Sequence, residues 1–180
     1  MNIFYLSNDT KTCAMYHVNM HCVKMILETA QLLSTAHRVL DGKDSIILSK
    51  SNRKQRVWIL NDSDMNDTLY KATHINHPSA IWIRQSDANY KWLHNLLKDL
   101  CEEYTHRYGK IHKVQRTNLL DNLLNLPKSI SIGKFTEPTP AMPEKYIISN
   151  DSIQSYRNYY KFEKRHLFGW RKRSIPDFIL

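Results

Sequence analysis

The segment from Lys11 to Leu40 constrains the fold most, because it contains no glycine or proline that would interrupt a helix. Apolar side chains would cover most of the circumference of a helix over this segment, and Asp41-Gly42 follows as a stop signal. A helix that is apolar nearly all round belongs in the core of a protein. The sequence therefore predicts one long, largely buried helix against which the remaining segments pack.

A narrow polar stripe interrupts this apolar surface. Its members follow one another at steps of four, three, four, three and four residues, which places them within about 80° of one another around a helix. Buried polar groups need partners or a purpose. We therefore interpret the stripe as one wall of an active or binding cleft; a helix that lies at the surface with its stripe in water is the alternative. The stripe comprises His17, His21, Lys24, Glu28, Gln31 and Thr35.

Three further segments carry a helical pattern of apolar residues. Pro78 suits the first position of one helix, Gly109 suits its C-terminal end, and Pro127 ends the next. Between residues 45 and 60, two short apolar runs flank a basic tip, which is typical of a short hairpin or loop excursion. We expect a mainly α fold, a compact single-domain helical bundle over residues 1–180. The further predicted helices are Ser79–Tyr108, Val114–Leu126 and Asp151–Leu167.

Basic residues outnumber acidic ones by 26 to 17, and the formal net charge is +9. This balance favours a polyanionic partner, and the ten tyrosines and four tryptophans favour nucleic acid over a lipid surface. We expect DNA or a nucleotide as partner and infer no obligatory protein partner. The candidate contacts lie in a basic loop at 45–65 and in an aromatic C-terminal helix and tail at 151–180, although both also fit ordinary solvated surfaces. They are Lys50, Arg53, Lys54, Arg56, Arg157, Lys161, Lys164, Arg165, Arg171, Lys172 and Arg173.

The cysteines and the hydropathy pattern indicate where the protein works. Cys13, Cys22 and Cys101 are odd in number and lack the Cys-x-x-Cys spacing, as expected of reduced thiols in the cytosol. No apolar run approaches the ~18 residues that a membrane span needs, and no secretory signal is visible. We expect a cytoplasmic protein that does not act in a membrane.

Lys24 and Glu28 offer an amine beside a carboxylate. Enzymes that excise bases with lyase chemistry attack the sugar C1′ with an amine to form a Schiff base, while a carboxylate assists. Burial would lower the basicity of a lysine and so suit it to this task. An ordinary ion pair at i, i+4 spacing, of small energetic worth, is the alternative interpretation.

Four histidines suggest a second kind of site. His17 and His21 are spaced i, i+4 on one helix face, a spacing compatible with metal ligation, and His74 and His77 lie at a predicted helix entrance. Our main expectation is a site without a cofactor. A Zn or Mn site built from these four histidines is the alternative.

The order of three features resembles a known enzyme family. A leader, Asn2–Leu6, runs into a long helix that passes early through His17. His77-Pro78 precedes a long amphipathic helix that ends at Arg107-Tyr108-Gly109, and a basic aromatic C-terminal region follows a proline-containing loop. Together these features resemble the small phage and bacterial pyrimidine-dimer DNA glycosylases of the endonuclease V type, so we also expect a phage-encoded protein that works in the host cytosol.

The resemblance implies a compact, all-helical fold whose N-terminus lies near a catalytic carboxylate. For this chain it implies the N-terminal amine of Met1 or Asn2 as the nucleophile and His17 as a DNA-contacting or orienting group. It also places Lys24 and Glu28 near the cleft. The family carries an adjacent arginine and glutamate on its first helix, whereas here Glu28 follows Lys24 by one turn.

These observations lead to one main functional hypothesis and two alternatives. The main hypothesis is a DNA-acting enzyme of the base-excision type, similar to a glycosylase or lyase, that acts on a damaged or modified base or its nucleotide. The first alternative is a histidine-rich, metal-dependent nucleotide hydrolase or transferase. The second is a basic DNA- or RNA-binding module without catalysis. For the enzyme we expect one cleft lined by His17, His21, Lys24, Glu28, His74 and His77.

Overall fold

Helices dominate the computed structural model, which describes residues 1–49 and 51–180. Within these residues the secondary structure consists of eight α-helices, one two-stranded sheet and three short 3-10 turns. The mainly α fold predicted from the sequence is thereby confirmed. Lys50, one of the predicted phosphate contacts, lies outside the described residues.

The Lys11–Leu40 segment forms two helices, so the expectation of one unbroken helix is wrong. Helix α1 spans Thr10–Tyr16 and helix α2 spans Asn19–Asp41. Between them the backbone is extended at Val18, where φ is −60° and ψ is 159°. His17, which was predicted on the same helix as the rest of the polar stripe, instead lies at the C-terminal cap of α1.

Side chains from distant parts of the chain hold this break. The Arg107 guanidinium donates hydrogen bonds of 2.9 Å to the carbonyl groups of both Met15 and His17. The backbone N–H of Val18 donates to the Tyr160 hydroxyl at 2.9 Å. These partners satisfy backbone groups that a continuous helix would pair internally. The break therefore has a tertiary cause, which a local sequence pattern does not contain.

A β-hairpin follows α2, as predicted. Strand β1, Lys43–Leu48, pairs in antiparallel fashion with strand β2, Lys54–Ile59. The register sets Lys43 opposite Ile59 and Leu48 opposite Lys54. Most side chains of both strands are exposed, so the hairpin projects from the helical body.

The predicted Ser79–Tyr108 helix is also divided. After helix α3, Ser63–Thr68, the chain forms α4, Pro78–Trp82, and α5, Asp87–Tyr108. Ser86 separates the last two because its hydroxyl accepts a hydrogen bond from Asn89 N and caps α5. The predicted ends are confirmed: Pro78 opens α4, and Gly109, in the left-handed region at φ 66°, follows α5.

The C-terminal third contains shorter helices than the sequence pattern predicts. The Val114–Leu126 segment holds α6, Lys113–Arg116, and α7, Leu119–Asn122, since a left-handed Asn118 interrupts it at φ 55°. Helix α8 spans Ser152–Glu163 and ends four residues before the predicted end at Leu167. A 3-10 turn at Arg165–Leu167 follows it.

One cluster of buried side chains connects these elements. Helix α5 packs against both α1 and α2, and Tyr156 and Tyr160 of α8 are fully buried in the same cluster. The leader Asn2–Leu6 forms neither a helix nor a strand, and its residues from Ile3 to Leu6 are buried. It lies between α2 and α8, because Phe4 contacts both His21 and Tyr160. None of the described helices has the length and apolar character that crossing a membrane requires.

Candidate active site

Glu28 forms the centre of a polar cluster where α2 meets the leader. Its Oε2 atom accepts a hydrogen bond from the backbone nitrogen of Asn2 at 3.0 Å, and its Oε1 atom lies 3.2 Å from Lys24 Nζ. The Glu28 side chain is 14% exposed and that of Lys24 is 61% exposed. Asn2 is held in turn by Ala141, whose carbonyl accepts from Asn2 Nδ2 at 2.9 Å. One carboxylate therefore contacts two nitrogen atoms at the edge of solvent.

His77 belongs to the same cluster. Its Nδ1 caps helix α4 by accepting a hydrogen bond from Ser79 N at 3.2 Å. Burial lowers the pKa of His77, and the positive charges of the N-terminus and of His74 lower it further, while the carboxylate of Glu28 acts in the opposite direction. His77 is thus a neutral imidazole near pH 7, close enough to the amino terminus and to Glu28 to feel their charges.

His74 lies at the rim of this cluster. It is exposed, and its backbone is in the left-handed region at φ 50°. Its Nδ1 lies 2.7 Å from the Thr73 hydroxyl, and Thr73 N donates to the Thr35 hydroxyl of α2 at 3.2 Å. The polar stripe of α2 is therefore covered at Thr35 and reaches the surface at Lys24.

The other end of the stripe is buried. His17 has no exposed surface, and its Nδ1 lies 2.7 Å from the Cys13 carbonyl. His21 is 5% exposed, its Nδ1 lies 2.8 Å from the Tyr160 hydroxyl, and its ring stacks on Phe4 at 4.4 Å. These two imidazoles form part of the interior, so neither lines an open cleft.

Burial also sets the protonation state of this interior pair. It lowers the pKa of His17 to about 4 and that of His21 to about 3. For His21, the positive charges of His17 and Lys164 add to the effect of burial. Both rings are neutral at pH 7, and each offers one donor and one acceptor nitrogen. Among the described residues, Nε2 of His17 has no hydrogen-bond partner.

The six residues expected to share one cleft are therefore divided. Lys24, Glu28 and His77 lie together with the start of the leader, and His74 lies next to them. His17 and His21 lie in the interior, and this corrects the expectation of a single cleft. The cause is the break at Val18 together with the leader, which packs over α2 at His21.

In the part of the chain that the structure describes, the Glu28 cluster coincides with none of four surface clefts and with no group of metal ligands. Four clefts with volumes from about 150 to about 420 Å³ lie elsewhere on the molecule, and Glu28 lines none of these four. Within residues 1–49 and 51–180, no group of three or more His, Cys, Asp and Glu side chains is arranged to hold a metal ion. The four histidines of the alternative metal site are not brought together in this arrangement: His17 and His21 are buried in the interior, whereas His74 and His77 lie near Glu28.

A buried ionic network, which the sequence analysis missed, lies behind the break in the first helical segment. Arg107 is fully buried, and its Nε donates to Glu103 Oε1 at 2.6 Å. Arg173 binds the other oxygen of the same carboxylate at 2.7 Å. Burial raises the pKa of Glu103, but the hydrogen bonds and charges of Arg173 and Arg107 outweigh it and hold the pKa below its usual value. The i, i+4 spacing of Glu103 and Arg107 is the sequence feature that could have indicated this ion pair.

Four of the predicted DNA contacts near the C-terminus are in contact with other parts of the protein. Arg173 is engaged by Glu103, and Arg157 donates from Nε to the Leu6 carbonyl at 3.0 Å. Lys172 Nζ donates to the His106 carbonyl at 2.9 Å, and the Arg171 guanidinium lies 5.6 Å from the Tyr108 ring centroid. Arg173 and Arg157 therefore brace the fold, while Arg171 and Lys172 remain exposed.

Other predicted cations lie on the surface. Arg53, Lys54 and Arg56 are exposed on the hairpin, where Arg56 is paired with Asp44. Lys161 and Arg165 lie at the end of α8 beside the exposed ring of Phe162.

A second surface feature, also missed from sequence, stands next to Lys164. The Tyr146 and Phe162 rings stack at 6.3 Å with an interplanar angle of 12°, and Tyr159 lies 5.6 Å from Tyr146. Lys145 lies 4.7 Å from the Tyr146 ring centroid and Lys164 lies 4.7 Å from that of Tyr159. Tyr159 also stacks on Phe4, which joins this aromatic surface to the leader.

The geometry places the Glu28 cluster in the class of surface sites that combine a backbone amide, a lysine amine, a carboxylate and a neutral imidazole. Comparison with known protein families, with curated proteins and with solved structures gave no match to this chain. Function is therefore inferred from the contacts described above.

Proposed function

We propose that the protein is a DNA-acting enzyme of the base-excision type, in which an amine beside Glu28 attacks the sugar C1′ of a damaged, modified or abasic nucleotide. The single observation that supports this most is the position of the Glu28 carboxylate, 3.0 Å from the Asn2 nitrogen and 3.2 Å from Lys24 Nζ. The start of the chain and the side-chain amine of α2 thereby meet at one partly exposed carboxylate.

The chemistry needs an unprotonated amine and a group that receives its proton. On an intact nucleotide the nitrogen lone pair forms a bond to C1′ while the C1′–base bond breaks and the base leaves; the C1′–O4′ bond then opens to give the imine. On an abasic aldehyde the amine adds to C1′, and water leaves. Glu28 accepts the proton that the amine loses on attack and returns it to the departing O4′ or hydroxyl oxygen, so the positively charged imine forms next to the carboxylate. A carboxylate in contact with both nitrogens is suited to either of them.

The two amines differ in their intrinsic basicity. An α-amine has an ordinary pKa of about 8, and a lysine amine has one of about 10.4, so a larger fraction of an α-amine is unprotonated near pH 7. The Asn2 nitrogen is a peptide amide in the chain that begins with Met1, and it becomes an α-amine when Asn2 is the first residue. We therefore assign the nucleophile to the α-amine of Asn2 in a chain without Met1, and to the α-amine of Met1 in a chain that keeps it. Lys24, which is ion-paired with Glu28, then holds the carboxylate in position.

His77 and the aromatic surface complete the proposed site. The neutral imidazole of His77 can take up or release a proton next to the amine, as general acid–base catalysis requires. The Tyr146–Phe162 stack, flanked by Lys145 and Lys164, offers stacking for an exposed base and charge for the phosphates.

Borohydride trapping on a DNA oligonucleotide with one abasic site tests the proposal. The wild-type protein should give a covalent adduct, and mass spectrometry of the adduct peptide should locate it at the N-terminal residue. Glu28→Gln keeps an oxygen that can accept from Asn2 N but removes the charge, so the adduct should form about 100-fold more slowly.

The matched control is Glu102→Gln, because Glu102 forms the same i, i+4 type of ion pair with Lys98 on α5. This variant should react like the wild type. An adduct at Lys24 would move the nucleophile to the α2 side chain and retain the function. Absence of any adduct, or equal rates for the two variants, would contradict the proposal.

A second candidate is a nucleic-acid-binding module without catalysis. The observation that favours it is the Tyr146–Phe162 stack flanked by Lys145 and Lys164, which can bind a nucleic acid without any reaction at Glu28. Salt-sensitive DNA binding without an adduct, unchanged in Glu28→Gln, would select this candidate.

A further inference from the structure

The β-hairpin has two different faces. Side chains alternate between the faces of a strand, so Ile47, Gln55 and Val57 share the inner face with Ile59. Together with Arg38 of α2, these four residues line a cleft of about 350 Å³ between the hairpin and the body, and Arg56 and Trp58 also reach it. Ile46, Leu48 and Lys54 of the opposite face do not line this cleft, so their part of the face points away from the body.

The outer face combines exposed aliphatic and cationic side chains in direct pairs. Ile46 lies opposite Arg56 and Leu48 lies opposite Lys54. Ile46 is 71% and Leu48 is 63% exposed, and because they are two residues apart on one strand they form one exposed apolar patch. Asp44 accepts both Nε and Nη2 of Arg56, which holds the guanidinium over the Trp58 ring at 4.8 Å. The outer face is thus apolar along β1 and basic along β2.

Charge determines which occupant fits this face. On the outer face, Lys54 lies opposite Leu48, and Arg56 is paired with Asp44. The hairpin as a whole also carries Lys43 and Arg53, so these four cations outnumber its one carboxylate. A second copy of the hairpin would therefore bring two positively charged hairpins together, which electrostatic repulsion disfavours. A polyanion that also exposes apolar groups can contact both the aliphatic side chains of β1 and the cations of β2.

The dimensions match duplex DNA. Strands of six residues extend about 20 Å, and paired strands lie about 5 Å apart. The major groove, about 12 Å wide, admits a two-stranded ribbon and exposes thymine methyl groups together with base-edge acceptors. Aliphatic side chains suit the methyl groups, and cations suit the flanking phosphates.

The base of the hairpin is held by Arg38, which lies ten residues from Glu28 on α2. Ten helical residues correspond to a rise of about 15 Å, which is the length of four to five base pairs of duplex DNA. Arg38 binds the carbonyl of Trp58 in β2 and that of Tyr70, and the chain then runs by way of Thr73, next to Thr35, to His77. The segment 70–77 thus connects the base of the hairpin with the Glu28 cluster.

We propose that the outer face of the hairpin enters the major groove of duplex DNA about half a helical turn from the nucleotide at Glu28. This inference rests on the proposed function for its choice of DNA, but binding by the hairpin is independent of the reaction at Glu28. The hairpin supplies duplex affinity, and the leader and α2 supply the reaction site.

Truncation of the hairpin tests this binding. Replacing residues 46–56 by Asn-Gly joins Ser45 to its partner Val57 through a two-residue turn that suits an antiparallel pair. The Trp58 carbonyl that Arg38 binds is retained. Affinity for an undamaged duplex, measured by fluorescence anisotropy at several salt concentrations, should fall. The slope of log affinity against log salt should decrease by about 3.

Point variants separate the outer face from other causes. The double variant Ile46→Ser, Leu48→Ser should weaken duplex binding without a change of salt slope, whereas Ile47→Ser on the inner face should bind like the wild type. Lys54→Gln should lower the slope by about 1, and the exposed Lys98→Gln on α5 should leave it unchanged. Adduct formation on a single-stranded abasic oligonucleotide should be the same in all of these variants.

The outcomes distinguish this inference from the proposed function. Loss of adduct formation in every protein, including the wild type, would contradict the reaction at Glu28 and leave the hairpin result valid. A truncated protein that binds the duplex with wild-type affinity and slope would overturn the hairpin inference. It would also be overturned if truncation converted a dimer to a monomer in sedimentation without any change of duplex binding.

Discussion

The two ends of the polar stripe on α2 have the same helical spacing but different physical roles. His21 and Glu28 are seven residues apart and point to the same side of the helix. The leader and α8 cover His21, so that Phe4 and Tyr160 contact its ring. Glu28 instead contacts the Asn2 nitrogen at the start of the leader and the exposed amine of Lys24.

The difference shows that periodicity groups side chains on one face without determining what covers that face. At His21, burial selects a neutral ring that is fixed by hydrogen bonds. At Glu28, the partly exposed carboxylate contacts the Asn2 nitrogen and Lys24 Nζ at the edge of solvent. Fully covered and partly exposed polar groups therefore follow each other within two turns of one helix. The following predictions test whether the two ends differ as this comparison requires.

The largest expected effect is a loss of stability in acid. Unfolded histidine has a pKa of about 6.5, while His17 and His21 have values of about 4 and about 3 in the folded protein. Between pH 6.5 and 4 the unfolded chain binds more protons, so the free energy of unfolding falls as the pH falls. Urea unfolding at pH 7 and pH 5 should show a decrease on the order of 4 kcal/mol from these two rings.

Two single variants provide the controls for this pH dependence. His21→Gln should remove about half of the slope, because one shifted group is lost. His106→Gln changes an exposed histidine and should leave the slope unaltered. A free energy of unfolding that stays constant from pH 7 to pH 5 would mean that the interior end of the stripe is not built from neutral rings.

The next effect concerns the hydroxyl group that holds the interior end together. Tyr160→Phe removes the acceptor for Val18 N and the partner of His21 Nδ1, and it leaves both groups buried. The free energy of unfolding should decrease by about 2 to 3 kcal/mol. The matched control is Tyr159→Phe, one residue away, whose ring is only half-buried. Equal losses in the two variants, measured by urea unfolding, would contradict this assignment.

The course of the chain could be predicted where its signals are local. Pro78 opens a helix and Gly109 follows one, and the basic tip between two apolar runs forms a hairpin, because capping and turn chemistry depend on neighbouring residues. The division before α5 also had a local signal in Ser86, whose hydroxyl caps the helix.

The break at Val18 could not be predicted in this way. It depends on Arg107 and on Tyr160, which lie 90 and 142 residues from their backbone partners in the chain. The same limit applies to the candidate site. Spacing placed Lys24 and Glu28 on one face, but it did not show that the leader would bring Asn2 to the carboxylate or bury His17.

The smallest expected effect on stability belongs to Glu28. Its ion pair with Lys24 is partly exposed, and pairs of this kind contribute roughly 0 to 1 kcal/mol. Glu28→Gln retains an oxygen for the Asn2 N–H, so urea unfolding at pH 7 should show a loss below about 1 kcal/mol. The same variant should greatly reduce the borohydride adduct. A large loss of activity with a small loss of stability is the result expected if Glu28 serves the reaction and not the fold. A stability loss as large as that of Tyr160→Phe would instead place Glu28 in the same structural network as His17 and His21, and the contrast between the two ends would disappear.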